Sequence, residues 1–162
     1  MKLSVRELSH AALIAAAYAA LSWVSSLFGL TFGPVQLRLS EALCVLPRRE
    51  RAAVPGLALG CLLTNLLSPY GLLDMLLGTA ATLCAALWSA RSRTGAEAAL
   101  APVVCNGVVV GALLAWEETG FSAAFAPLFA YHAFTVALGE ALACFALGLP
   151  LLRALEKSEA RA

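Results

Sequence analysis

The sequence predicts an all-α integral membrane protein: six transmembrane helices in a compact bundle, with residues 1–162 as a single domain. Three observations predict it. Hydrophobic residues fill 61% of the 162 positions and charged residues only 13%, about half the charged share of a soluble domain. The apolar residues come in long Ala/Leu runs rather than the alternating pattern of a membrane barrel. Helices remain as the way to satisfy the backbone in lipid. Finally, basic residues concentrate in every second break between runs.

The first run, residues 8–30, is long and has a second run close behind it, so it reads as a span and not as a cleaved leader. The turn Gly33-Pro34 leads to residues 35–46, short for a crossing that needs ~20 residues. Pro47 and the cluster Arg48-Arg49-Glu50-Arg51 close it. Residues 52–67 form a third segment, also short, ended by Ser68-Pro69-Tyr70-Gly71. The ends of these two segments are expected to be sheltered by protein. Residues 72–90, 98–116 and 124–152 complete the set, separated by Arg91-Ser92-Arg93-Thr94-Gly95 and by Glu117-Glu118-Thr119-Gly120. Lys2, Arg6, Arg48, Arg49, Arg51, Arg91, Arg93, Arg153, Lys157 and Arg161 then share one side, leaving Arg38 as the exception among 11 basic residues. By the positive-inside rule both termini are cytoplasmic.

Charges at membrane depth are costly and rare, which makes them functional candidates. Arg38 and Glu41 stand three apart, on one face of a helix, where they can partly neutralise each other. Gln36, Asn65, Asp74, Asn106, His132 and Glu140 are the other polar groups expected in the outer half of the membrane, Glu140 being the deepest. Tyr70, with Phe32, Trp116, Phe129 and Tyr131, adds flat side chains near the outer ends. Carboxylates, amides and aromatic faces suit a small, flat, hydrogen-bonding ligand or a cation. Plainer readings stand beside this one. Asp74 follows a turn and can cap a helix. Asn65 and His132 can bond neighbouring helices, Arg38 and Glu41 can form a structural pair, and Tyr70 and Trp116 can anchor the interface.

Ala11, Ala15 and Ala19, with Ala12, Ala16 and Ala20 beside them, form small-residue stripes that allow close helix approach, as do Gly56/Gly60 and Gly107/Gly111. The Gly pairs read as internal packing, and the alanines as a partner surface. The five cysteines are scattered singly with no CxxC, so no metal site and no cofactor is expected. A net charge of +1 gives no sign of nucleic acid. No phosphate loop, HExxH or GxSxG occurs. The chain therefore reads as a binder rather than an enzyme, and as one whose energy source lies in another subunit.

The string Gln36-Leu37-Arg38-Leu39-Ser40-Glu41-Ala42-Leu43, preceded by Gly33-Pro34-Val35 and followed by Pro47, resembles the QueT family of energy-coupling factor (ECF) substrate-binding (S) components. So do Gly56 to Cys61 with Asn65, Gly71-Leu72-Leu73-Asp74 with Gly78-Thr79 and Thr82, the Asn106 region, and Gly139-Glu140 before Gly148-Leu149-Pro150-Leu151. The resemblance implies a compact S-component bundle in a prokaryotic plasma membrane. It implies a queuosine precursor as cargo, 7-aminomethyl-7-deazaguanine or a close relative. It also implies a transmembrane coupling (T) subunit that meets the first-helix alanines, and two cytoplasmic ATPase subunits. The competing readings are an S component for another vitamin, and a stand-alone carrier relaying protons through Arg38, Glu41, His132 and Glu140.

Overall fold

Ser4 opens the first helix. Its hydroxyl accepts from the Glu7 backbone at 3.2 Å, and the Glu7 carboxylate accepts from the Ser4 backbone at 2.8 Å, a capping box that satisfies two orphan donors. Helix α1 therefore runs Val5–Leu27, starting three residues before the apolar run does. The computed structural model describes residues 4–31 and 36–159, so the expected Gly33-Pro34 turn, Phe32, Lys2 and Arg161 lie outside the described residues.

After Gln36 the second segment is a 3-10 helix, Leu39–Arg48, rather than an α-helix. Arg38 precedes it in an extended conformation. Ten residues is long for this geometry, which ordinarily lasts three or four. Burial on several sides holds it: Ser40, Glu41, Ala42, Cys44, Val45 and Pro47 are all buried, and Pro47 has no N–H to contribute to an α ladder. Helices α2 (Ala53–Asn65), α3 (Gly71–Ser89), α4 (Gly95–Thr119) and α5 (Phe125–Ala141) follow. A π-helical segment, Leu142–Gly148, carries α5 without a break into α6 (Leu149–Glu159). Thr94 starts α4 early by accepting from the Glu97 backbone at 3.1 Å.

The six expected segments are all found as helical elements, and no strand occurs among the described residues. Four helical stretches are long and apolar enough to cross a bilayer: α1, α3, α4 and the continuous Phe125–Ser158. The 3-10 helix and α2 are not. At their 10 and 13 residues, each spans roughly 20 Å of a ~30 Å hydrocarbon core.

Neighbours in sequence are neighbours in space: α1 packs on α2, α2 on α3, α3 on α4 and α4 on α5. The 3-10 helix sits among them, touching α1, α3, α4 and the π-helical segment. Two seams rest on glycine. A Cβ on Gly56 would stand 2.7 Å from the Ala11 carbonyl, and one on Gly60 2.7 Å from Tyr18 Cβ. A Cβ on Gly111 would stand 2.7 Å from the Ala133 backbone, and one on Gly107 3.1 Å from Ala137 Cβ. Small residues here let the backbones approach. Large apolar side chains such as Leu13, Trp23, Leu76, Val108, Phe134 and Leu138 point outward, as a lipid-solvated bundle requires.

One end of the bundle collects the arginines. Arg48 Nη1 donates to the Ser92 carbonyl at 2.8 Å, Arg49 lies 3.9 Å from Glu156, and His10 pairs with Glu50. These contacts bring the start of α1, the end of the 3-10 helix, the end of α3 and the C-terminal α6 to one level.

Candidate functional site

The polar array lies where the two short elements stop. Arg38 at the head of the 3-10 helix meets Asn65 at the end of α2, Nη1 to Oδ1, at 3.3 Å, while its Nε donates to the Thr31 carbonyl at 3.1 Å. The Asn65 amide donates to the Asp74 carbonyl at 3.2 Å, in the first turn of α3. Asp74 is buried, and its carboxylate accepts from Ser68 in the preceding turn. Gly78 makes room for this pair: a Cβ there would stand 2.7 Å from the Asn65 amide nitrogen.

Glu41 stands at the centre, 1% exposed. Tyr18 donates its hydroxyl to one carboxylate oxygen, and the Cys44 thiol faces the other at 3.0 Å. The Cys144 thiol reaches the Glu41 carbonyl at 3.3 Å. Ser22 and Ser25 of α1 hold the same turn, Ser22 through Ser40 Oγ at 2.7 Å and Ser25 through the Leu39 N–H at 2.9 Å.

Asn106 and Glu140 form the third part. The Asn106 amide donates to Glu140 Oε1 at 2.8 Å. This leaves Asn106 Oδ1 and Glu140 Oε2 buried with no hydrogen-bond partner among the described residues. Buried polar atoms are nearly always satisfied, so these two open acceptors on bonded residues need an explanation. Gln36 is buried too, and its backbone lies so close to α5 that a Cβ on Gly139 would stand 2.1 Å from the Gln36 carbonyl. Only glycine admits that approach. Glu140 lies within electrostatic reach of both Glu41 and Arg38.

His132 is placed apart, where the end of α4 meets α5. Its Nε2 stands 3.0 Å from Glu118 Oε1, an ion-pair distance without the alignment of a hydrogen bond. Tyr131 stacks edge-on against its ring. Tyr70 packs between this end and the array, against Val110, Leu114 and Val136. Burial pushes its hydroxyl pKa up, and Asp74, Glu118 and Glu117 add to that.

The structure thus brings Gln36, Arg38, Glu41, Asn65, Asp74, Asn106 and Glu140 into one buried layer, with Tyr70 beside it and His132 at its rim. Arg38 and Glu41 are not stacked on a continuous α-helical face as expected. Arg38 turns to Asn65, and Glu41 to Tyr18. Asp74 engages Ser68 rather than acting as the N-cap of α3, a position held by Tyr70. Tyr18 belongs to the site and was hidden by its alanine-rich surroundings. The one visible signal was a phenol in the middle of an apolar span. A groove of about 530 Å³ between α3, α4 and the start of α5, lined by Leu73, Leu77, Val108, Trp116 and Phe125 among others, is apolar and separate from this array.

The alanine stripe needs a correction. Ala11, Ala15 and Ala19 are buried within this chain, the first two against Gly56 and Gly60 of α2. The stripe left exposed is Ala12, Ala16 and Ala20, one residue around the helix.

Lipid-facing apolar helices enclosing a layer of buried charge define a multi-pass membrane protein, and one whose interior is chemically unlike its surface. The chain belongs to the QueT transporter family, whose model matches residues 8–157, as the motif around Arg38 and Glu41 led us to expect. Comparison with curated proteins and with solved structures finds no match.

Proposed function

We propose that this chain is the substrate-binding S component of an ATP-driven ECF importer, and that its cargo is a queuosine precursor, 7-aminomethyl-7-deazaguanine or a close relative. The observation that carries the reading is the pair of open acceptors, Asn106 Oδ1 and Glu140 Oε2, in a buried layer that holds three carboxyl groups (Glu41, Asp74, Glu140) against one guanidinium, Arg38. A guanine-like edge presents adjacent N–H donors, the partners that these two open acceptors lack. Such fully buried pairing discriminates strongly against ligands that lack the donors. The ring carbonyl is met by Arg38, Asn65 or Gln36. The excess of carboxyl groups favours a cationic ligand, and the aminomethyl ammonium is held by Asp74 with the Tyr70 ring beside it.

In this reading residues 1–162 act as one membrane domain in a prokaryotic plasma membrane, with the arginine-rich end and both termini in the cytoplasm. A transmembrane T subunit docks on the exposed Ala12–Ala16–Ala20 stripe, and two cytoplasmic ATPases drive it. The family assignment supports a transporter over an enzyme.

The test is thermal melting of the purified protein across the aminomethyl and cyano deazaguanines, queuine, guanine and several vitamins. A ligand bound only by the folded state raises the melting temperature by mass action. A rise with a deazaguanine and none with guanine is expected, lost in Glu41→Gln and Asp74→Asn. A cooperative melt that no deazaguanine moves overturns the cargo. Uptake by liposomes containing this chain alone overturns the S-component role.

A further inference from the structure

The arginines at the collected end divide into two groups. Arg48 is engaged by the Ser92 carbonyl and Arg49 by Glu156. Arg51 and Arg91 instead flank a groove of about 290 Å³ between the start of α2 and the end of α3, whose other walls are Val54, Pro55, Leu87 and Ala90. Arg91 Nη1 donates to the Leu87 carbonyl at 3.0 Å, which folds the side chain back along α3. Among the described residues neither guanidinium has a carboxylate within 4.0 Å. The Glu7 carboxylate, which feels the Arg51 charge only as the smallest influence on it, is bound to Ser4.

We propose that this groove binds one anionic phospholipid, with Arg51 and Arg91 holding the headgroup phosphate and Val54, Pro55 and Leu87 receiving the first methylenes. Three features select a lipid over a soluble anion. The groove sits at the end of apolar spans, the level at which headgroups lie. Its floor is apolar. Leu83, one turn before Leu87, is exposed on the same face of α3 and continues that floor along the lipid-facing side. Basic pockets between transmembrane helices are suited to anionic headgroups, and guanidinium groups to phosphate geometry.

Native mass spectrometry of delipidated protein, titrated with phosphatidylglycerol or with phosphatidylcholine, tests this. One phosphatidylglycerol is expected to be retained at a concentration where phosphatidylcholine leaves no adduct. The double variant R51Q/R91Q is expected to weaken that retention at least tenfold, with R51K/R91K keeping a substantial part. Melting of lipid-free samples checks that the variants fold, and R91Q alone serves if the double variant does not. Equal retention of the two lipids, or retention unchanged in a folded Gln variant, overturns the proposal. Full competition by millimolar inorganic phosphate would also overturn it, in favour of a soluble-anion site.

Discussion

The α1/α2 and α4/α5 pairs use the same packing device to different ends. In each, two glycines four residues apart let one backbone close on its partner helix. The α4/α5 seam is tied along its length by Asn106–Glu140 in the middle of α4 and Glu118–His132 at its end. Its outer faces carry large residues such as Val108, Phe134 and Leu138. It is finished as a surface for lipid. In the α1/α2 pair, the polar residues of α1 turn instead to the 3-10 helix, through Tyr18, Ser22 and Ser25. On its other side α1 presents a second stripe of alanines, uncovered. One pair is closed on itself. The other is closed toward α2 and open toward whatever approaches from the membrane. Small exposed side chains give lipid nothing special to pack against, but they let another helix come near.

The contrast can be broken most directly at the open stripe. Ala16→Trp is expected to abolish coupled uptake in vesicles containing the T and ATPase subunits while leaving ligand affinity unchanged. Leu138→Trp, on the lipid face of the closed pair, is expected to change neither. If both variants transport normally, the stripe is not a docking face.

Next in size is Glu140→Gln, which removes an acceptor from the tie within the closed pair. The protein should fold and lose about tenfold to a hundredfold in affinity for the aminomethyl deazaguanine by calorimetric titration, the range for a charged hydrogen bond. Unchanged affinity would place the ligand elsewhere. Smaller again are the seam glycines. Gly111→Val and Gly60→Val should each cost about 1–3 kcal/mol by overpacking, read as a lower melting temperature. Gly111→Val should cost more, because its Cβ would stand 2.7 Å from two backbone atoms of Ala133, closer than the Ala15 carbonyl would stand to a Cβ on Gly60. Gly60→Val meets the Tyr18 side chain as well and should also weaken the ligand. Least of all, Glu118→Gln should cost under about 1 kcal/mol, because Glu118 is half exposed. A larger loss would make this ion pair a clasp rather than a trim.

Much of the fold was legible because lipid is a demanding solvent: a span must be long and apolar, and the breaks between spans carry the charge. Helices α1 and α4 start three residues before the apolar edge, because the caps Ser4-x-x-Glu7 and Thr94-x-x-Glu97 set their first turns, and both caps are plain in the sequence. Other features depend on long-range packing and leave no local mark. The Ala11 and Ala12 stripes differ by a single step around one helix, and which one α2 covers is decided by Gly56 and Gly60. The buried polar residues were legible as a class, since charge in an apolar run is conspicuous. Their partners were not: Arg38 meets Asn65 27 positions away and Asn106 meets Glu140 34 away.

The 3-10 winding of Leu39–Arg48 acts as a spacer. Its ten residues rise about 2.0 Å each, whereas α geometry would give about 1.5 Å. Rewound as an α-helix and anchored at Arg48, the segment would draw Arg38 back by roughly 5 Å, the height of one helical turn. The contact with Asn65 would be out of reach, and Glu41 would rotate away from Tyr18. The register of the whole polar layer therefore hangs on how tightly one short stretch of chain is wound.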